Sequence, residues 1–150
     1  MGRSFVDYAL EKGDKVVATL RDPAGLSDLA KNFDSSRLLV LQVDVTKIDT
    51  IKAAFAKVKE TFGRIDIVCN NAGFGLLSEI EGTPEEVARK IFDTNFWGAI
   101  SISKESIAFF RDVNKPCGGR LLQMSSMAGV GTVPGVAFYS SRYRVSDYDC

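Results

Sequence analysis

Four short aliphatic runs, each parted from the next by residues at helical spacing, restrict this chain to one class of architecture. They lie within 15–20, 37–43, 65–69 and 119–124, and the first two contain Val16-Val17-Ala18 and Leu38-Leu39-Val40-Leu41. Strands that alternate with helices join through right-handed crossovers, which build a parallel sheet with helices packed on it. The expected fold is therefore α/β. At 150 residues the chain has the length of one domain with one core.

The helical stretches carry their own punctuation. Phe5, Val6, Ala9 and Leu10 form an apolar stripe that Gly13 ends. Asp22-Pro23 reads as an N-cap and first-turn proline opening a short helix. Thr46 with Asp49 resembles a capping box, and the helix behind it presents Ile51, Phe55, Val58 and Phe62 before Gly63 closes it. Thr83-Pro84-Glu85-Glu86 predicts another start, with Thr as cap and Pro at the first position. The helical region beginning there runs toward Val113, with a kink near Asn95, and a loop is expected from Ala128 to Gly135.

Composition removes several functions. Lys plus Arg number 19 and so do Asp plus Glu, so no basic excess points to nucleic acid or an anionic membrane. No apolar run approaches the roughly 18 residues of a membrane helix. The opening Met1-Gly2-Arg3-Ser4 lacks the apolar stretch of a secretory signal. Cys69, Cys117 and Cys150 are widely spaced, which suggests a reducing, cytoplasmic setting. There is no histidine, so His-based triads and most zinc sites are excluded, and no metal is expected. Acid–base chemistry must fall to Tyr, Lys, Asp, Glu or Cys.

Five features stand in order along the chain. Gly13-Asp14-Lys15-Val16-Val17 leads into the first aliphatic run, and Asp44-Val45-Thr46 follows the second. Asn70-Asn71-Ala72-Gly73 follows the third, and Asn95 precedes Gly98. Ser125-Ser126 follows the fourth, with Tyr139 thirteen residues after Ser126. Together they resemble the short-chain dehydrogenase/reductase family in its NNAG branch, over nearly the whole chain. The extended branch of sugar-nucleotide epimerases fits less well, because NNAG belongs to the shorter branch. The resemblance implies a Rossmann-like doubly wound parallel sheet and an oxidoreductase that interconverts an alcohol and a ketone or aldehyde. It also implies a small-molecule substrate and a possible homo-oligomer through the 84–113 helical region.

The family places its cofactor at the carboxyl ends of the strands. The resemblance carries Gly2, Asp44, Asn70, Ala72 and Gly73 over as cofactor-binding positions, with Asp44 accepting from the adenine amine. Where NAD binders commonly hold an acidic residue for the ribose hydroxyls, this chain has Leu20, followed by Arg21. The forked guanidinium suits a 2′-phosphate, so NADP is favoured over NAD. The other reading of Arg21 is a solvated pair with Asp22.

The resemblance gives Tyr139 the proton-exchanging role, Ser126 the carbonyl oxygen, and Asn95 a water-linked proton path. The family's Lys, four residues beyond the Tyr, lowers a phenol pKa that is otherwise near ~10. Here Tyr143 stands at that position, between Arg142 and Arg144, and either arginine could stand in for the Lys. Gly2-Arg3 resembles only the last glycine of the family's phosphate-binding turn, and the family's first strand and C-terminal elements have no counterpart here. The expected sheet is thus incomplete, a single partial dinucleotide-binding domain over 1–150. Its inner strands would have unpaired edges or pair with each other directly. The alternative function is a truncated, inactive fragment with weak cofactor binding or subunit association.

Overall fold

The computed structural model describes residues 1–131 and 134–146, the last five of them as backbone alone. Helix α1 spans Gly2–Glu11 and strand β1 Val16–Leu20, with Gly13 between them at φ 90°. That left-handed value suits a residue without a Cβ. Asp22 then accepts from the Ala24 amide at 3.0 Å and caps a 3-10 turn at Pro23–Leu26, which runs into α2 at Ser27–Asn32. Asp22 is therefore a cap, as the Asp-Pro pair predicts.

Strand β2 covers Leu38–Gln42 and pairs with β1 in parallel, Val16 opposite Leu38 and Leu20 opposite Gln42. Successive side chains alternate between faces. Ala18 and Leu38 join Leu10, Leu26 and Leu29 in a core under α1 and α2. Val43, just past β2, packs with Ile51 and Ala54 of α3, the helix at Ile48–Phe62. Ile51 is fully buried, which stabilises the fold by about 1.5–3 kcal/mol relative to exposure. Gly63 closes α3 at φ 71°.

Strand β3 at Ile67–Asn70 pairs in parallel with β4 at Arg120–Gln123. Between them run α4 at Glu85–Phe92, a π-helical segment at Asp93–Gly98, and α5 at Ala99–Asp112. The kink expected near Asn95 takes the form of that wider turn. Phe109 of α5 meets Phe55 of α3 with ring centroids 5.9 Å apart. Short α6 at Met127–Val130 and α7 at Ala137–Ser146 complete the described elements. Among the described residues no helix is long and apolar enough to cross a membrane.

The parallel α/β order is as expected, but the sheet is in two pieces. Among the described residues β1–β2 and β3–β4 form separate two-stranded sheets. Of the two arrangements considered for the inner strands, unpaired edges rather than direct pairing is the one present. One face of β3–β4 is also open, with Ile67 54% and Leu122 52% exposed.

Three local expectations are corrected. Thr46 does not cap α3: its N–H and hydroxyl both go to Asp44 Oδ1, at 3.0 and 2.8 Å, and Lys47 takes the cap position without a side-chain bond. The Asx turn is the nearer partner and outcompetes the helix end. Thr83 likewise turns its hydroxyl back to the Glu79 carbonyl at 2.8 Å, leaving Pro84 as the cap residue of α4. The loop placed at 128–135 begins inside α6, because Ser126 caps that turn through the Ala128 amide at 3.3 Å.

Asn114 joins the segments that enter β3 and β4. It is fully buried, accepts from the Ile65 amide at 3.1 Å, and donates to the carbonyls of Ile65 and Gly118 at 2.6 Å each. Asn114→Ala leaves three part-buried backbone groups without their partner, so urea unfolding should show a loss of about 2–4 kcal/mol. A loss no larger than that of Arg89→Ala, whose pair with Glu85 is exposed, contradicts this account.

The Asp44 turn has an acid signature. The Thr46 hydroxyl and then its amide hold the Asp44 carboxyl below its ordinary 3.8, helped by the charges of Lys47 and Arg21. A carboxyl lowered in the folded state stabilises the fold above its unfolded pKa, and that contribution is lost as pH falls through the lower folded value. Thr46→Val should raise the Asp44 midpoint in an NMR carboxyl titration. A midpoint unmoved by the substitution assigns the depression to something other than the turn.

Candidate active site

The residues singled out from sequence gather where the strands end. Arg21 follows β1, Asp44 follows β2, Asn70 ends β3, and Ser125-Ser126 follow β4. In an open α/β sheet this is the edge that faces a ligand crevice.

The loop leaving β3 is fixed from below. Asn70 is buried and its amide donates to the Ala99 carbonyl at 2.9 Å, which ties the strand end to the start of α5. Ala72 and Gly73 are exposed. A Cβ on Gly73 would stand 3.1 Å from Asn95 Oδ1, so the small residue admits the asparagine. Asn95 is 1% exposed, accepts from the Phe74 amide at 3.0 Å and donates to the Phe74 carbonyl at 2.6 Å. Its segment is pressed against the exit of β2, where a Cβ on Gly98 would meet Val45 Cγ2 at 2.8 Å. π-Helical turns inside α-helices often mark functional positions.

The same loop receives the tyrosine. The Tyr139 ring lies against Gly75, where a Cβ would be 3.0 Å from Cδ2. Beside it the Ser78 amide donates to the Gly135 carbonyl at 2.7 Å, joining the loop to the approach to α7. Ser126 is half-buried and Ser125 exposed. The structure thus joins Gly73 to Asn95 directly, and seats Tyr139 two residues further along the same loop. Ser126 is engaged as the cap of α6, which packs on α7. The side chains of Arg142, Tyr143 and Arg144, and the whole of Cys150, lie outside the described residues. Sequence reasoning missed Gly75, although the alternation Gly73-Phe74-Gly75 signals two close approaches, and it missed the Ser78 to Gly135 tie, which has no sequence signature.

At the other end of the crevice, Arg21 is exposed and forms no ion pair among the described residues. The reading that paired it with Asp22 is not what the structure holds, since Asp22 is committed to Ala24. Asp44 uses Oδ1 for the Thr46 turn, and among the described residues none bonds to Oδ2. Gly2 lies beside Asn71, 3.4 Å from its Nδ2 to a Cβ built on the glycine. The first intrahelical bond of α1 is Phe5 to Met1 at 3.2 Å, which leaves the amides of Gly2, Arg3 and Ser4 without intrahelical acceptors. A cation, a carboxylate oxygen and a helix N-terminus along one edge fit a dinucleotide. Among the described residues no three His, Cys, Asp or Glu side chains gather as a metal-ligand set.

Comparison with known proteins agrees with this geometry. A family model for short chain dehydrogenases matches residues 1–142. An uncharacterized oxidoreductase of Schizosaccharomyces pombe is 37% identical over 141 residues, 94% of this chain and 46% of its own length. The chain therefore spans about half the length of the curated relatives it matches. A short-chain dehydrogenase structure from Streptomyces avermitilis superposes with a TM-score of 0.87 at 27% identity, covering 97% of this chain and 52% of that one. The closed form of a serine dehydrogenase complexed with NADP+ gives 0.80 at 25% identity, covering 96% and 55%. The fold is Rossmann-like with a partial sheet, and the chain belongs to the short-chain dehydrogenase/reductase family.

Proposed function

We propose that this chain carries the cofactor and carbonyl sites of an NADP(H)-dependent oxidoreductase interconverting an alcohol and a ketone or aldehyde. The observation that carries the reading is the seat of Tyr139 on Gly75, in the loop leaving β3, whose Asn71 touches the start of α1. The nicotinamide, when bound, supplies or accepts the hydride. Tyr139 exchanges a proton with the substrate oxygen, and Ser126 donates to the same oxygen once turned from its cap. Asn95, whose side chain holds the Phe74 peptide, supports the water-linked proton path. Gly2 and the amides of α1 take the pyrophosphate, Asp44 Oδ2 the adenine amine, and Asn70, Ala72 and Gly73 keep the β3 exit low beneath the nucleotide.

Arg21 grips the 2′-phosphate. Support comes from its lack of an ion-pair partner among the described residues, and from the NADP+ bound in a serine dehydrogenase of the same fold. The free thiols Cys69 and Cys117 suit a cytoplasmic setting. A second copy associates through the 84–113 helical region, where Trp97 and Ile107 are 59% and 54% exposed.

A second reading has one observation behind it. The crevice lies where, among the described residues, the inner edges of β1 and β3 have no partner strand, and a sheet that does not close weakens the floor on which a dinucleotide rests. On that reading the chain binds cofactor weakly and does not turn over.

Titration should show NADPH bound tighter than NADH, with Arg21→Ala weakening NADPH about 10- to 150-fold, the range of a charge-assisted bond. Equal affinities in the parent chain sink the assignment of the cofactor. Against a panel of ketones, Tyr139→Phe should cut turnover by about 10²–10⁴, and Ser126→Ala should cost more than Ser125→Ala. Turnover that survives in Tyr139→Phe removes Tyr139 from the mechanism, and NADPH binding with no turnover in the parent favours the second reading.

A further inference from the structure

The β1–β2 ladder stops one residue short of Arg21. Its last bond runs from the Val43 amide to the Leu20 carbonyl at 2.9 Å. The 3-10 turn starts one residue later, with the Gly25 amide on the Asp22 carbonyl at 3.2 Å and the Asp22 side chain on Ala24. Arg21 therefore sits between two ordered pieces of backbone, and neither of them takes its carbonyl. A side chain does: Gln42 Nε2 donates to the Arg21 carbonyl at 2.9 Å. Gln42 stands opposite Leu20 in the parallel register, so its amide extends the ladder by one rung where the backbone cannot.

We infer that Gln42 is a positioning residue for Arg21, and through it a determinant of the preference for a 2′-phosphorylated dinucleotide. This rests on the reading of Arg21 given under the proposed function. A long, solvated side chain loses rotamer freedom when it grips a ligand, and a backbone already pinned removes the further cost of ordering the segment that carries it. The Gln42 side chain is exposed, so it is not held in place as part of the core. Its bond to Arg21 joins the tip of β2 to the tip of β1 at the point where the guanidinium leaves the backbone. A nucleotide without the 2′-phosphate makes no use of that guanidinium, so the effect of Gln42 is confined to one cofactor.

The experiment is a set of calorimetric titrations of NADPH and NADH against the full chain, Gln42→Ala, Gln42→Glu, Arg21→Ala and the Arg21→Ala/Gln42→Ala double variant. Thermal unfolding first establishes that each variant is folded. Gln42→Glu keeps the shape and lacks the donor, so it carries the test if Gln42→Ala does not fold. Gln42→Ala should weaken NADPH about three- to tenfold, the range for one lost hydrogen bond, and leave NADH unchanged. Gln42→Glu should weaken NADPH at least as much. In the Arg21→Ala background, Gln42→Ala should change nothing further. Equal weakening of both cofactors, or an undiminished effect without Arg21, overturns the positioning role. If Arg21→Ala erases the NADPH preference while both Gln42 variants keep it, the positioning role fails alone. If the parent chain shows no preference, or binds neither cofactor, the reading of Arg21 fails and this one with it.

Discussion

The arrangement at the strand ends depends on one buried amide. Asn95 takes both hydrogen-bonding groups of the Phe74 peptide, and it does so at 1% exposure. Buried polar groups left unpaired cost more than paired ones gain, so the loop and the helix are committed to each other. The loop leaving β3 carries Gly73 and Gly75, and these two positions receive Asn95 on one side and Tyr139 on the other. The segment that carries Asn95 is itself wedged against Val45 through Gly98. The segment that carries Asn95 therefore meets the exit of β2 at Gly98 and, through the Asn95 side chain, the exit of β3 next to the seat of the tyrosine.

This clamp matters more here than in a closed sheet. The two half-sheets are not joined by a ladder among the described residues, so what connects them is helix packing and loop contact. On one side α3 meets α5 through Phe55 and Phe109, and Ile102 packs against the core under Val43. On the other, Gly2 at the head of α1 lies beside Asn71. The open Ile67–Leu122 face shows how little else covers β3 and β4 from below.

The legible parts of this fold were those written in local chemistry. The strands, the Asp22 cap and the glycine stop at Gly63 each needed only neighbours in sequence, and each lies where it was read. The Thr46 and Thr83 caps failed for the same reason in mirror image: each hydroxyl had a nearer acceptor, Asp44 or the Glu79 carbonyl, that a capping pattern does not score. Contacts that cross the chain were invisible. Nothing in the sequence marks Asn114 as the tie between Ile65 and Gly118, or Gln42 as the holder of Arg21. The family resemblance marked Asn95 as important but assigned its side chain no partner, and only the folded chain shows it occupied by Phe74.

The clamp can be measured at a single amide. Native-state hydrogen exchange followed by NMR reports the Phe74 N–H, which has no backbone acceptor among the described residues and would exchange fast if Asn95 did not hold it. The account predicts that this amide is protected in the parent chain and loses its protection in Asn95→Ala, while the Asn70 and Val68 amides within the β3–β4 ladder stay protected. A Phe74 amide that exchanges freely in the parent chain, or is equally protected without Asn95, contradicts it.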